Sequence, residues 1–345
     1  MLVSVITPVY NTRPELILRA VKSVAGQGVA CEMIIVDDGS TPDIAKYIDN
    51  LSREFDFLKI VHSPNEGVSS ARNTAIDLSV GEYIAFLDAD DEMADGSLVS
   101  AIEILEDFGC EAVYGNSILV YPDGGCKNSF LSFSDVQSPL VFEGDQIEYL
   151  KMAQFHRDAL KIFDLPDILI PNNWGALFRG DLIRRQRFDT DVVMAEDRLF
   201  NLKILSNAKR VALTDLIWYK YYQYGDTATH RVRPNALLEF ETTARKYERM
   251  IPTSSPLMAD ALYSGIFECY LQALIFAIPR RCFRRNMRLS RCGYVKSALS
   301  CEVFQLGISN VRPKNTWQKL QVLLAKGACV RSIIVSILLR DIIRR

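Results

Sequence analysis

An α/β fold built on a doubly wound, mostly parallel sheet is what this sequence predicts, and three observations predict it. Short β-branched runs alternate with longer amphipathic stretches through residues 3–120. Each successive pair of runs is separated by one helix-length segment, which is the order of βα units. Two of the runs lead straight into acids: Met33-Ile34-Ile35-Val36 into Asp37-Asp38-Gly39-Ser40, and Tyr83-Ile84-Ala85-Phe86-Leu87 into Asp88-Ala89-Asp90-Asp91.

The first strand is Val3-Ser4-Val5-Ile6-Thr7, ended by Pro8. Leu16, Ile17, Ala20, Val21 and Val24 recur at helical spacing over 15–24. Strand 33–36 follows, then a polar turn and a helix over 43–51. The third strand spans 57–61 and the next helix 68–78. Strand 83–87, helix 97–108 and strand 112–120 complete the run. Beyond it, Gly225-Asp226 punctuates the chain, a helix is expected over 235–250, and Ile251-Pro252-Thr253-Ser254-Ser255-Pro256 breaks it. The expected division is a catalytic domain over 1–224 and a helical region over 225–345.

In an open α/β sheet, ligands bind beyond the carboxyl ends of the parallel strands. Acids placed there suit a polyphosphate and a divalent cation, so the pattern points to a nucleotide-using enzyme. Other readings stay open for each group. Asp88, Asp90 and Asp91 could form a solvated turn capping the helix that starts near Gly96. Asp38 could serve an Asx-turn. Glu196 and Asp197 follow Val192-Val193-Met194 and open an amphipathic stretch, a helix N-terminus that favours acids whether or not they do chemistry.

Six segments in one order resemble the family-2 glycosyltransferases with the GT-A fold. They are Val5-Ile6-Thr7-Pro8-Val9-Tyr10-Asn11, Val36-Asp37-Asp38-Gly39-Ser40-Thr41, and Asn65-Glu66-Gly67-Val68-Ser69-Ser70-Ala71-Arg72-Asn73. The others are Gly81-Glu82-Tyr83-Ile84-Ala85-Phe86-Leu87-Asp88-Ala89-Asp90-Asp91, Asn173-Trp174-Gly175-Ala176-Leu177-Phe178-Arg179 and Glu196-Asp197-Arg198-Leu199-Phe200. The resemblance implies transfer of a hexosyl or hexosaminyl unit from a nucleoside-diphosphate sugar, with UDP as the expected nucleotide. It implies that Asp90 holds Mn²⁺ or Mg²⁺ and that Asp88 meets the ribose or the metal, with Asp91 a third acid. Asp38 would accept from the base, Pro8 and Tyr10 would pack beside it, and Gly67 would lie near the diphosphate; Arg72, one helical turn on, could meet the diphosphate or the first acid cluster, its alternative being a surface ion pair. Asp197 would be the base for the acceptor hydroxyl, assisted by Glu196, in a single inverting displacement. Asn173 and Trp174 would meet the sugar, their alternative being a strand edge that packs an indole into the core. His230 would complete the metal shell or take an ordinary surface or core position.

Composition frames this reading. The chain has 345 residues, 49% of them hydrophobic, enough for one large domain with an appendage or for two. Eight cysteines at 31, 110, 126, 269, 282, 292, 301 and 329 form no Cys-x-x-Cys pair, and neither a zinc site nor a disulfide framework is expected. The chain opens directly on a strand without a signal-like segment, so a reducing cytoplasm is the expected compartment.

The net charge of −2 conceals an asymmetry. From residue 280 onward, 15 Lys and Arg face only Glu302 and Asp341, a net of +13, which leaves −15 on residues 1–279. Arg280, Arg281, Arg284, Arg285, Arg288 and Arg291 recur at helical spacing. Such a face wants an acidic partner, either anionic lipid headgroups or a lipid-linked pyrophosphate acceptor. Nucleic acid is the poorer partner, since no nucleic-acid-binding motif accompanies the charge. Residues 261–278 are apolar but include Glu268 and Gln272, and 333–339 is too short to span a bilayer. An interfacial, peripheral association at the cytoplasmic face is therefore expected, with bacterial surface-glycan extension on a lipid carrier as the setting. A nucleotidyltransferase is a rival, although Pro8-Val9-Tyr10-Asn11 is not a Gly-rich phosphate loop. A silent glycan-binding scaffold of the same fold is another.

Overall fold

The computed structural model describes residues 1–128, 138–155, 172–224, 233–277, 287–313 and 316–327. The chain divides into two compact units, Met1–Tyr224 and Gly225–Arg345.

The first unit is a sheet with helices against it. β1 (Leu2–Val9) pairs in parallel with β2 (Ala30–Asp38) and with β4 (Tyr83–Phe86), and β2 pairs in parallel with β3 (Leu58–Ser63). β1, β2 and β4 are apolar almost continuously because both faces are covered, as parallel sheets require, while the edge strand β3 is half-exposed. α1 (Pro14–Ala25) starts on a proline at its first turn, where the missing N–H costs nothing, and buries Leu16, Ile17, Ala20, Val21 and Val24. α2 (Pro42–Glu54) also begins on a proline, and α3 (Val68–Leu78) follows Gly67, whose φ of +95° favours glycine.

Past β4 the sheet departs from a plain βα series. After the short β5 (Glu92–Met93) come α4 (Ser97–Phe108) and β6 (Ala112–Val120). β7 (Cys126–Asn128), β8 (Leu140–Glu143) and α5 (Gln146–Ala153) precede β9 (Ala176–Arg179), which inserts antiparallel between β4 and β6. α6 (Gly180–Arg184) and α7 (Glu196–Asn207) lead to β10 (Arg210–Tyr222), which runs parallel to β6. The strand order is β3-β2-β1-β4-β9-β6-β10-β5, with β7 on β6 and β8 on β10. The sheet is therefore mixed, with parallel main strands. The periodicity of 3–120 predicts the parallel part; β9 has only four residues, too few for an alternation signal. β10 is a 13-residue strand whose register on β6 shifts between Leu213 and Ile217 and again before Tyr219, an irregularity that re-aims its last residues.

The second unit is helical: α8 (Ala236–Met250), α9 (Pro256–Ala277), α10 (Met287–Ser300), α11 (Glu302–Asn310) and α12 (Thr316–Lys326). α9 is its core, burying Ala261, Leu262, Ile266, Phe267, Tyr270 and Leu274. α11 crosses it at Gly307, where a Cβ would stand 2.7 Å from Ile266 and 2.9 Å from the Phe267 amide. Among the described residues, no helix is long and apolar enough to cross a membrane. Arg280, Arg281, Arg284, Arg285 and the apolar run 333–339 lie outside the described residues.

Candidate active site

Both acid clusters lie where the parallel strands end. Asp37 and Asp38 are the last residues paired by β2, and Asp88 follows Leu87 just past β4. The turn after β2 is held from several sides. Gly39 has φ +75° and its Cβ position is 2.8 Å from the Asn65 amide, so only glycine fits. Asn11, itself at φ 50°, donates its N–H to Ser40 Oγ (2.8 Å) and accepts from the Thr41 N–H (2.9 Å). That latch holds the segment carrying Pro8 and Tyr10 against the turn; Tyr10 is 56% exposed. Asp38 is buried, and its two oxygens accept the N–H groups of Glu66 (2.8 Å) and Gly67 (2.9 Å). It thus fastens the entry to α3, and each oxygen keeps a further lone pair for a ligand.

Arg72 brings the distant acids together. One helical turn into α3 and only 3% exposed, it donates from Nη1 to Glu196 (3.0 Å) and Asp197 (2.9 Å) and from Nη2 to Asp88 (3.0 Å). Its guanidinium also lies over the Phe188 ring at 5.2 Å. Three carboxylates from β4 and α7 thereby share one buried cation, a use of the planar fork that an ammonium cannot copy. Burial works against its charge, yet Asp197, Asp88 and Glu196 together hold it firmly protonated. Burial pushes Asp197 up to about 8, against the pull of Arg72 and with the Glu196 and Asp88 charges adding to the rise.

The two α7 acids are presented by Ala195, which takes a left-handed φ of 60° at the N-cap. The segment before them is pinned by Asn73, whose amide donates to the Phe188 carbonyl (3.0 Å) and accepts the Phe188 N–H (2.8 Å). Phe188 stacks on Phe200 at 3.7 Å, and both meet Phe86 edge-on. Asn73 stands next to Arg72 in the sequence, but nothing in the spacing marks it as a clamp on a loop 115 residues away.

The second cluster splits into separate environments. Asp91 is fully buried; it accepts from the Tyr219 hydroxyl (2.8 Å) and the Tyr222 N–H (2.9 Å), so it anchors β10. Burial, then the Asp88 and Asp90 charges, holds its carboxyl well above the ordinary range. Asp90 is raised to about 6 by burial and by Asp88. Its backbone carbonyl accepts from Arg19, which lies 3.5 Å above the Tyr222 ring. The helix that follows is capped by Gly96 without a side-chain hydrogen bond, so these acids do not serve as its cap. Tyr219 closes the cluster by also accepting the Asp88 N–H (3.2 Å). The aromatic run at 218–222 could have revealed β10 as a strand; that it would seize Asp91 depends on the register shift within it.

Trp174 stacks on Tyr219 at 4.5 Å and on Tyr221 at 5.4 Å, beside the acids. Asn173 is fully buried, and both polar atoms of its amide lack a hydrogen-bond partner among the described residues. A buried amide left unpaired costs about 1–3 kcal/mol, which is a reason to expect a ligand there. The Asn172 carbonyl is held by Asn201 of α7 (2.8 Å). His230 lies outside the described residues.

The donor set suits a hard divalent cation. Asp88 and Asp90 offer carboxylate oxygens, and Asp90, raised first by burial and then by the Asp88 charge, is a carboxylate that a bound cation would relieve. Among the described residues, no three metal-ligating side chains are placed to hold an ion together. The fit is therefore to an ion held by one or two carboxylates and completed by phosphate and water oxygens, the usual manner of Mg²⁺.

Residues 4–163 match the model of glycosyl transferase family 2. The uncharacterized glycosyltransferase EpsJ of Bacillus subtilis is 28% identical over 241 residues, 69% of this chain and 63% of that protein, so the match spans less than two thirds of that relative. The GalNAc(5)-diNAcBac-PP-undecaprenol beta-1,3-glucosyltransferase of Campylobacter jejuni is 24% identical over 290 residues, 80% of this chain and 89% of its own. Among solved structures, S. aureus TarS 1-349 in complex with UDP-GlcNAc aligns with a TM-score of 0.65 at 16% identity, covering 97% of this chain and 90% of that one. The mannosyltransferase PcManGT from Pyrobaculum calidifontis, solved with GDP-Man and Mn²⁺, aligns at 0.52 with 16% identity, covering 99% and 86%. The buried arginine with its three acids, the mixed sheet that carries them and the matched segment lead to one assignment: residues 4–163 of this chain are a glycosyl transferase family 2 region.

Proposed function

We propose that this chain is a metal-dependent, inverting glycosyltransferase that moves a hexosyl or hexosaminyl unit from a nucleoside-diphosphate donor, UDP first among candidates, to a hydroxyl of a lipid-linked glycan. The observation that carries the proposal is the Arg72 hub, because it joins the strand-end acid Asp88 to Glu196 and Asp197, more than 100 residues away in sequence, within 3.0 Å hydrogen bonds. In this reading Asp38, Pro8 and Tyr10 receive the base, while Gly67 and Arg72 lie toward the diphosphate. Asn173 offers its unpaired amide to sugar hydroxyls and Trp174 its ring to a sugar face. Asp88 and Asp90 hold Mn²⁺ or Mg²⁺, with His230 a candidate further ligand; when bound, the ion offsets the charge of the departing diphosphate.

Asp197 takes the proton of the acceptor hydroxyl as its oxygen bonds to the anomeric carbon and the bond to the donor phosphate breaks, the electron pair leaving with the diphosphate. A carboxylate raised to about 8 is a stronger base than an ordinary one and is matched to work near neutral pH. Glu196 shares the arginine with Asp197, so one guanidinium orients both acids. A single displacement inverts the anomeric centre.

Residues 1–224 are the proposed catalytic domain, and 225–345 the region that meets the acceptor or an anionic membrane surface at the cytoplasmic face. The net +13 beyond residue 279 supports that role, as does the Campylobacter relative whose named substrate is an undecaprenol pyrophosphate glycan. The test is turnover with a panel of nucleotide sugars and lipid-linked acceptors in D197N and D90A. Loss of about 10²–10⁴-fold in D197N is expected of a removed general base. Undiminished turnover in D197N would remove Asp197 from the chemistry.

A further inference from the structure

His62, near the end of β3, sits between two carboxylates. Its Nδ1 is 2.7 Å from Asp37 of β2 and its Nε2 is 3.0 Å from Asp49 of α2. An ionised carboxylate only accepts hydrogen bonds, so a ring bonded through both nitrogens to two of them carries a proton on each and is a cation.

What the cation holds is the root of the nucleotide-facing loops. Asp37 is buried, and its other oxygen accepts the Ser40 N–H (3.0 Å). Ser40 Oγ accepts from the Asn11 N–H, and Asn11 accepts from Thr41. A continuous path thus runs from Asp49 through the imidazole and Asp37 to the segment bearing Pro8 and Tyr10. Asp38, the next residue, secures Glu66 and Gly67.

We propose that His62, as an imidazolium clamped between Asp37 and Asp49, is a positioning residue that fixes the 37–41 turn, and through it the 8–11 loop, in the arrangement that receives the donor's base. The inference rests on the nucleotide-sugar reading above. A neutral imidazole has one N–H, so losing the proton breaks one of the two bonds and frees the turn. Asp37 from β2 and Asp49 from α2 are the ionic groups facing the ring; their hydrogen bonds, Asp49 first, raise His62 above its ordinary 6.5 against the effect of burial. The clamp is complete below the ordinary value and is lost as pH rises through the raised one, so nucleotide affinity falls in the same direction.

Calorimetry of the full chain with UDP and with GDP, in Mn²⁺, from about pH 6 to about pH 9, tests this in the unmutated protein, H62R and H62Q. H62R keeps a multi-donor cation throughout, and taking affinity ratios cancels the titration of Asp90. At the acid end the unmutated protein should match H62R, and at the alkaline end it should bind about three- to tenfold more weakly, the scale of one lost hydrogen bond. H62Q should be weak across the range. A pH-independent ratio, or H62Q binding as tightly as the unmutated protein at the acid end, would overturn the inference while leaving the donor reading intact. No nucleotide binding by the unmutated protein at any pH would overturn both. A nitrogen NMR titration, with the His62 signal assigned by its loss in H62Q, should find both ring nitrogens protonated near pH 7. A neutral ring there would overturn the inference however arginine fits.

Discussion

Replacing Arg72 by methionine should be among the most damaging single changes available to the first unit. The side chain is 3% exposed and its guanidinium is the shared partner of Asp88, Glu196 and Asp197. Methionine fills most of the volume but leaves three carboxylates facing one another in a site with little water. Removing one partner of a buried ion pair costs about 3–5 kcal/mol, and the surviving acids limit the loss by taking up protons. In the variant the folded pKa of Asp197, already raised to about 8 by burial, loses the pull of Arg72 and rises further above the unfolded one. A group raised on folding contributes stability that is present at low pH and lost as pH climbs, so the deficit of R72M should be largest near pH 8 and shrink toward pH 5. For a unit of this size each kcal/mol moves the melting temperature by about 2–4 °C, which predicts a fall on the order of 10 °C at alkaline pH. R72K should recover only part, because one ammonium cannot reproduce the fork. Thermal denaturation of R72M and R72K across that pH range is the assay. A loss in R72M below about 1 kcal/mol, or one independent of pH, would refute a charge hub and leave Arg72 an ordinary ion pair.

The other expectations concern the same site. D90N should raise the stability of the metal-free protein by about 1–2 kcal/mol at pH 7.5, because it removes a carboxylate raised to about 6 by burial, while abolishing turnover; urea unfolding in EDTA beside an activity assay checks both. Since Asp197 must be ionised to take a proton and burial lifts it to about 8, kcat/KM should climb with pH through that value and level off above it; a profile already flat from about pH 6 would contradict the assignment. N73A gives up both hydrogen bonds to the Phe188 backbone and should destabilise by about 1–3 kcal/mol by denaturant melts, with a larger loss in kcat than in KM because the α7 acids lose their support. A195G relieves a left-handed alanine worth about 1 kcal/mol, so it should leave stability unchanged or slightly higher while lowering kcat; a clear destabilisation would show that the conformation at 195 is not strained.

Much of this molecule could be read from its sequence because local signals and tertiary context agree over residues 1–120. The continuous apolar runs of β1, β2 and β4, the prolines that open α1 and α2, and the α3 and α4 periodicities are local patterns, and parallel strands place their terminal acids at one edge by topology alone. Past residue 120 the determinants become non-local. β9 is four residues whose direction is set by its neighbours, and Asp91 looks like Asp90 in sequence yet is bound by Tyr219 and Tyr222 from β10. Arg72 could be placed near either the diphosphate or the first acid cluster from its position after Gly67; that it reaches Glu196 and Asp197 follows from where the fold brings the start of α7, which no spacing encodes. Asn73 and Ala195 act through the backbone of a distant segment and through a φ angle, and neither leaves a pattern in composition.

The most direct test of the account is calorimetric titration of nucleoside diphosphates and nucleotide sugars into the chain, with Mn²⁺ or Mg²⁺ and with EDTA, and the same titration into D90A. Binding of one base that requires the metal and is lost in D90A is the predicted result. Failure of every nucleotide to bind, or binding of equal strength in EDTA and in D90A, would contradict a metal-assisted nucleotide-sugar site at the ends of these strands.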